Sequence, residues 1–436
     1  MIERRALLKG GATLAALVGL SKAYAVGRAA RASVGLVPDA KGLLDLPPGF
    51  SYDLVSAAGQ PMASGLFVPG KFDGMAAFAG DGGRIVLIRN HELHPASDKG
   101  SWASGDAPAG LPLFDPKAVG GTTTVVLGTD GVTVEQEFIS LAGTDRNCCG
   151  GPTPWGSWLS CEEPKRSRDV KIADGHGWVF EVPATARAAV EPVPLKAMGR
   201  FNHEAAAVDP ATGAVYLSED REDGLFYRFV PTVPGRLAAG GRLQACVVDG
   251  LTTTANRNGD WAAGAGKPVR WIDLSDVESP ADDLRLRGAD AGAATFVRGE
   301  GLAMAADHSV FLSCTSGGAN QQGQIFRYQP TGNDQGKLTL FIEPGDGNII
   351  DFPDNLTIAP WGGLVVCEDG SADNFLRFVT PNGAVQTLAR NAHPDRSEFA
   401  GACFSPNGKI LYVNIQDPGH TYAIRGPWAT FGAAQA

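Results

Sequence analysis

The sequence predicts an all-β protein built as a β-propeller that follows a cleaved N-terminal signal. Two observations carry the fold prediction: a high content of residues that end strands, and a repeat made only of strands. Glycine (57) and proline (29) make up about a fifth of the 436 residues, against ~12% in average usage, and charged residues are only 19%. Such a balance is typical of short strands joined by tight turns.

The repeat consists of a strand, a polar tight turn, a second strand, and a third strand that ends near a proline. Three segments align in this way, at 204–231, 300–330 and 354–381. Looser copies turn near 82, 156 and 408. Strand-only repeats of roughly 40–50 residues are typical of propellers. Six turns predict six blades, with five or seven left open, and an insertion near 232–296.

The N-terminus has the organisation of an export signal. Arg4 and Arg5 precede an apolar run that ends at Ala23-Tyr24-Ala25, a small-residue cleavage pattern. The arginine pair predicts a twin-arginine signal peptide over 1–25, with an ordinary secretory signal or an anchor as the alternative. We therefore expect a periplasmic or secreted protein that the twin-arginine export machinery recognises.

Beyond that signal we expect one domain. Residues 26–46 are predicted to be a linker or closing segment, and 47–430 to be a single metallohydrolase-like propeller.

The net charge of −10 argues against a general nucleic-acid binder. No run of ~18 apolar residues follows the signal, so we expect no stable membrane insertion, and we expect a monomer.

The repeat also predicts which side chains meet. A hairpin returns its two ends to the same side, so the residues before the first strand and after the second should share one face around the central channel. Those residues are Asn147/Cys148, Glu204, Glu300 and Asp354 at leading positions, with Glu398 two residues further back, and Cys161/Glu162, Glu219/Asp220, Cys314, Glu368/Asp369 and Asn414 at trailing positions. The first unit contributes Arg89-Asn90-His91-Glu92 near the same place.

Several carboxylates in one channel mouth would repel one another unless cations neutralise them. Carboxylate oxygens suit hard ions such as calcium, and a neighbouring thiolate suits a softer metal such as iron. Pairing of the acids with nearby arginines stays open as an alternative. Cys314, Cys367 and Cys403 are expected in the core, whereas Cys148-Cys149 could be either a disulfide or simple packing.

Several of these segments resemble one family. The stretch from Asn147 to Glu163 resembles a motif of the PhoX-type secreted alkaline phosphatases, which are twin-arginine exported β-propeller phosphatases. Further segments match in the same order: Gly199-Arg-Phe-Asn-His203-Glu204-Ala, Arg298-Gly-Glu300-Gly, Pro353-Asp354-Asn355-Leu and Cys367-Glu368-Asp369-Gly370. The resemblance runs from about residue 48 to about residue 428.

The resemblance implies a six-bladed propeller that hydrolyses phosphate monoesters at an iron and calcium centre at the channel mouth. It implies that Cys161 ligates iron and that Arg298 contacts the phosphate of a small phosphorylated substrate. The implied holders of iron and calcium are the acids Glu162, Glu204, Glu300, Asp354 and Asp369.

One feature departs from the family pattern. Family phosphatases also place a lysine on the phosphate, between the positions that match Glu300 and Asp354. Here that interval holds only Lys337, inside a plain strand pattern. Two other functions therefore remain as alternatives: a calcium-dependent, lactonase-like hydrolase, and a non-catalytic, metal-stabilised propeller that binds a ligand or partner.

Overall fold

A computed structural model describes residues 35–102, 107–164, 175–332, 334–345 and 350–433. The predicted signal peptide and the first part of the predicted linker lie outside the described residues. Strands dominate the described chain, which confirms the all-β prediction. The helical segments are short: α1 (Leu284–Asp290), α2 (Trp428–Ala433) and single 3-10 turns at Asp81–Gly83, Lys196–Met198 and Leu237–Ala239.

The first two strands of the chain join sheets that are formed by its C-terminal part. The two strands are β1 (Leu44–Asp45) and β2 (Ser51–Ala57). Two antiparallel sheets then follow in chain order. The four-stranded sheet contains β3 (Phe72–Ala79), β4 (Ile85–His91), β5 (Gly120–Leu127) and β6 (Val134–Thr144), and the three-stranded sheet contains β7 (Asn147–Pro152), β8 (Ser157–Glu162) and β9 (Val179–Pro183).

The largest sheet combines two antiparallel runs of four strands. The first run is β10 (His203–Val208), β11 (Val215–Glu219), β12 (Gly224–Pro231) and β13 (Gly241–Val248), and the second is β16 (Gly299–Met304), β17 (Val310–Cys314), β18 (Gln324–Gly332) and β19 (Gln335–Ile342). The strand β14 (Gly266–Asp273) pairs with both β13 and β19 and so joins the runs, while β15 (Thr295–Phe296) pairs with β12. The predicted insertion at 232–296 thus contains β13, β14, α1 and β15.

The C-terminal part of the chain forms two further antiparallel sheets. One contains β20 (Pro353–Ile358), β21 (Leu364–Glu368), β22 (Phe375–Val379) and β23 (Val385–Asn391), and the other contains β24 (Phe399–Phe404), β25 (Leu411–Ile415) and β26 (His420–Arg425). The strand β1 pairs with β23, and β2 pairs with β26. The N-terminal strands thereby tie the two ends of the described chain together.

The first strands of these runs form a ring. In order of contact they are β3, β7, β10, β16, β20 and β24, and β24 returns to β3. The arrangement is propeller-like, as predicted. The sheets number five rather than six among the described residues, because β14 merges two runs into one sheet.

The inner strands approach one another so closely that some positions exclude a side chain. A Cβ atom on Gly151 of β7 would lie 1.8 Å from the carbonyl oxygen of Ala206 in β10. A Cβ atom on Gly301 of β16 would lie 2.7 Å from the carbonyl oxygen of Asp354 in β20. Backbone atoms cannot yield as a side-chain end can, so glycine is required at both positions.

We expect Gly151→Ala to lower the free energy of unfolding by about 1–3 kcal/mol, because the added methyl group forces two inner strands apart. Chemical denaturation of the purified protein measures the change. Gly345→Ala is the matched control, since its Cβ atom would meet no atom of the described residues within 4 Å. We expect that control to stay within about 0.5 kcal/mol of wild type. Equal stability of the two variants would contradict the close packing of the ring.

Candidate functional site

Each inner strand carries a register shift at the same place near its start. A bulge of this kind leaves residues unpaired and re-aims their side chains. The first unpaired residues of the six strands are Asp73, Cys148, Glu204, Glu300, Asp354 and Gly401. Five of the six inner strands therefore present a carboxylate or thiol at one level of the ring.

These side chains form three overlapping groups that could hold metal ions. The groups are Asp73/Glu92/Cys148, Cys148/Glu163/Glu204 and Glu204/Glu300/Asp354. Within each group the candidate ligand atoms lie within 4.8 Å of one another. Because Cys148 and Glu204 each belong to two groups, the three form one continuous cluster, which we call the acidic cluster.

Glu204 is at the centre of the acidic cluster and is fully buried. Neither of its carboxylate oxygens has a hydrogen-bond partner among the described residues. Burial raises its pKa well above the usual value, and the charges of Glu300 and Asp354 raise that pKa further. An ionised carboxylate in this position needs a cation to offset its desolvation.

A second set of acids, two of which belong to the acidic cluster, lies at the ends of the neighbouring strands. Each member is the residue directly after a strand that pairs with an inner strand; the members are Glu92, Glu163, Asp220 and Asp369. Arg146 makes ion pairs with two of them, Glu92 and Glu163, the latter at 2.8 Å. The pairs hold these carboxylates at the edge of the acidic cluster.

Arg298 bridges the two sets of acids. Its Nε donates to Asp220 Oδ1 at 2.8 Å, and its Nη2 lies 2.7 Å from Glu300 Oε1. Its Nη1 has no hydrogen-bond partner among the described residues, and the side chain is 31% exposed. The acids on either side therefore orient the guanidinium while one of its edges stays accessible.

Three cationic residues occupy equivalent backbone positions around the ring. Lys71, Arg146 and Arg298 each directly precede an inner strand, and each has a left-handed backbone conformation, with φ of 50°, 52° and 53° respectively. Such a conformation costs free energy for a residue other than glycine and is concentrated at functional sites. The common geometry places positive charge at the rim of the acidic cluster.

Four of the predicted metal ligands lie at or beside the acidic cluster. Glu204, Glu300 and Asp354 form one of the three groups. Asp369 lies close enough for its charge to raise the pKa of both Glu300 and Asp354. Arg298, which was predicted to contact the phosphate, contacts Glu300 in the same place.

The structure does not bring Cys161 and Glu162 to the acidic cluster. Cys161 is fully buried in a hydrophobic cluster with Leu159 and Val179. Glu162 accepts hydrogen bonds from the backbone amides of Asp145 and Gly177 at 2.8 Å, and its carboxylate lies 2.7 Å from His176 Nδ1. Both side chains are therefore already accommodated by the fold.

Cys148 takes the place among the carboxylates that Cys161 was predicted to fill. It lies one residue after Asn147, which pairs across the sheet with Glu162. Both Cys148 and its neighbour Cys149 are free thiols, which excludes a disulfide between them here. The repeat predicts Cys148 at the same leading position as Glu204 and Asp354. The repeat position is therefore the sequence signal that distinguishes Cys148 from Cys161.

Asp73, Glu92 and Glu163 were not among the predicted ligands. Asp73 is buried, and burial, followed by the charge of Glu92, raises its pKa to about 7. The thiol of Cys148 lies 3.6 Å from Asp73 Oδ2. The sequence signal for Asp73 is weak, since the first unit is one of the looser copies of the repeat.

The sequence model of the family described as "Alkaline phosphatase PhoX" matches residues 33–135 and 127–419. This chain belongs to the PhoX family. A search of curated proteins gives no match.

Solved structures support the fold of this PhoX family member. Pseudomonas fluorescens PhoX in complex with vanadate, described as a transition state analogue, has a TM-score of 0.70 at 19% identity, covering 90% of this chain and 97% of that one. A gluconolactonase from Xanthomonas campestris has a TM-score of 0.44 at 13% identity, covering 88% and 98%. The first likeness establishes the propeller-like fold, and the second is too distant to carry an argument.

Within the described part of this PhoX family member, we find no helix with the length and apolar character that a bilayer crossing requires.

His176 next to Glu162 provides a test of the buried network behind the acidic cluster. Burial lowers the pKa of His176, but hydrogen bonds and charge from Glu162, with Asp115, outweigh it and raise the pKa to about 9. Because this folded-state pKa exceeds the unfolded value of ~6.5, the charged imidazole stabilises the protein below pH ~6.5. That contribution is lost as the pH rises through about 9.

We expect His176→Asn to lower the free energy of unfolding by about 1–2 kcal/mol at pH 6, after allowance for solvent screening, and by much less at pH 10. Denaturant titrations at the two pH values measure the difference. The control is His308→Asn, because His308 lies 2.8 Å from Asp209 but is 44% exposed. A destabilisation by His176→Asn that is the same at both pH values would contradict a charged His176.

Proposed function

We propose that this protein is a metal-dependent phosphatase that hydrolyses phosphate monoesters at an iron and calcium centre in the channel mouth. Membership of the PhoX family supports this reaction. The observation that carries the proposal is the buried Glu204 carboxylate, whose two oxygens have no hydrogen-bond partner among the described residues. A phosphatase of this kind acts on small phosphorylated substrates.

The residues of the acidic cluster fit such a centre. We propose Cys148, rather than Cys161, as the thiolate ligand of iron, because it is the cysteine that lies with Glu204 and Glu163. Glu300, Asp354 and Asp73 offer the hard oxygen donors that calcium prefers. Asp369 adds a further carboxylate at the rim, whereas Glu162 stays a structural acceptor.

Bound metal ions would polarise phosphoryl oxygens and neutralise negative charge that develops during displacement at phosphorus. The chain supplies orientation. Arg298 offers its free Nη1 edge to a phosphate oxygen, while Asp220 and Glu300 hold the guanidinium plane in place. Arg146, fixed by Glu92 and Glu163, adds positive charge two inner strands away along the ring, next to β7 rather than β16.

Lys337 does not serve as the family's phosphate-binding lysine in this proposal. It lies in β19 and pairs with Pro268 of β14, where the two runs of the largest sheet join and away from the inner strands. We therefore assign phosphate binding to Arg298 and the bound cations.

We further propose six blades, counted by inner strands, and export of the folded monomer to the periplasm or medium by the twin-arginine route.

Protein purified without chelator is expected to contain iron and calcium together and to hydrolyse p-nitrophenyl phosphate. Chelation should remove both metals and at least ~99% of the activity, since the metals supply most of the charge stabilisation. Elemental analysis and a colorimetric assay measure the two quantities. Calcium alone together with lactone hydrolysis would replace this function with a lactonase-like one, and neither metal with neither activity would overturn both.

Cys148→Ala and Cys161→Ala form a matched pair that tests the thiolate ligand. We expect Cys148→Ala to lose iron and roughly a hundredfold or more of the catalytic efficiency while it stays folded. Cys161→Ala should retain iron and activity but lose about 1 kcal/mol of stability, because it leaves a small cavity in the core. The reverse pattern would restore Cys161 as the iron ligand.

A further inference from the structure

A cavity of about 490 Å³ opens at the edge of the acidic cluster. Its walls come from the residue that precedes β3 and from the loops that follow β4, β21, β23 and β25. The lining includes Lys71, Lys99, Asp369, Arg396, Glu398 and Asp417. We call it the polar cavity.

The polar cavity is connected to the acidic cluster through shared side chains. Asp369 lines the cavity, and its charge acts on both Asp354 and Glu300. Gln416, another lining residue, donates to Glu92 Oε2 at 2.8 Å and accepts from Lys71 Nζ at 3.0 Å. A phosphoryl group at the acidic cluster would therefore have the rest of its ester beside this cavity.

The chemistry of the walls selects what the cavity can hold. Its lining consists of charged, amide, hydroxyl and glycine groups, and Pro418 is its one apolar side chain among the described residues. The ammonium groups of Lys71 and Lys99 both pair with the carboxylate of Asp417, and Lys99 Nζ lies 2.5 Å from Asp417 Oδ1. The lining thus supplies both donors and acceptors, whereas ligand pockets are usually lined mostly by aliphatic and aromatic side chains.

We propose that the polar cavity receives the alcohol part of the substrate, and that the substrates are phosphate monoesters of small polyhydroxylated alcohols, such as glycerol and sugar phosphates. Several hydroxyl groups can pair with these donors and acceptors, whereas an apolar ring would leave them desolvated and unpaired. This inference rests on the proposed phosphatase function and specifies its substrate class.

The test compares two alkyl esters of similar intrinsic reactivity, glycerol 3-phosphate and cyclohexyl phosphate. We expect the catalytic efficiency, kcat/KM, to be about tenfold higher for the glycerol ester, as the loss of a hydrogen bond to a charged group predicts. Lys71→Met and Lys99→Met should each reduce that ratio about fivefold or more. Lys409→Met, which changes an exposed lysine in the turn between β24 and β25, should leave the ratio unchanged.

Inhibition by inorganic phosphate reports separately on the acidic cluster. We expect Lys99→Met to keep the wild-type inhibition constant, since phosphate itself binds at the cluster and at Arg298. Equal efficiencies for the two esters, or ratios that neither lysine variant changes, would overturn the polar cavity as the alcohol subsite. Hydrolysis of p-nitrophenyl phosphate but of neither ester by wild type would overturn the subsite alone, whereas hydrolysis of none of the three would overturn the phosphatase function and the subsite with it.

Discussion

The close approach of six inner strands around one axis is the constraint on which the rest of the structure depends. Gly151 and Gly301 are positions where the neighbouring backbone leaves no room for a Cβ atom. Each inner strand also bulges at the same level, and the bulge turns one unpaired side chain toward its counterparts. Acids that are distant in the chain are thereby brought within a few ångströms.

That convergence has an electrostatic cost, which the surroundings offset only in part. Arg146 and Arg298 neutralise the acids at the rim, but Glu204 at the centre has no such partner among the described residues. A chain with a net charge of −10 would repel a phosphate ester. Multivalent cations in the cluster would reverse the local sign of the charge, so the same arrangement would both relieve the repulsion and attract the substrate.

The predictable features were those that depend on local pattern. Glycine and proline marked the turns, the strand repeat indicated the propeller, and Glu204, Glu300 and Asp354 recurred at one repeat position. The joining of two runs by β14 was not predictable, because strand pairing across the 232–296 segment depends on contacts far apart in the chain. The buried acceptor role of Glu162 was not predictable either, because it depends on His176, which lies 14 residues further along the chain and outside the strand repeat.

The sequence by itself determined that acids and cysteines recur at the ends of paired strands, and hence predicted a cation-binding face. Only the tertiary structure decided which of two residues adjacent in the sequence has its side chain in the acidic cluster. Side chains alternate along a strand, so a bulge that shifts the register by one residue exchanges the inward and outward faces. That shift places Cys148 among the carboxylates, while Cys161, on the partner strand, packs into the hydrophobic core.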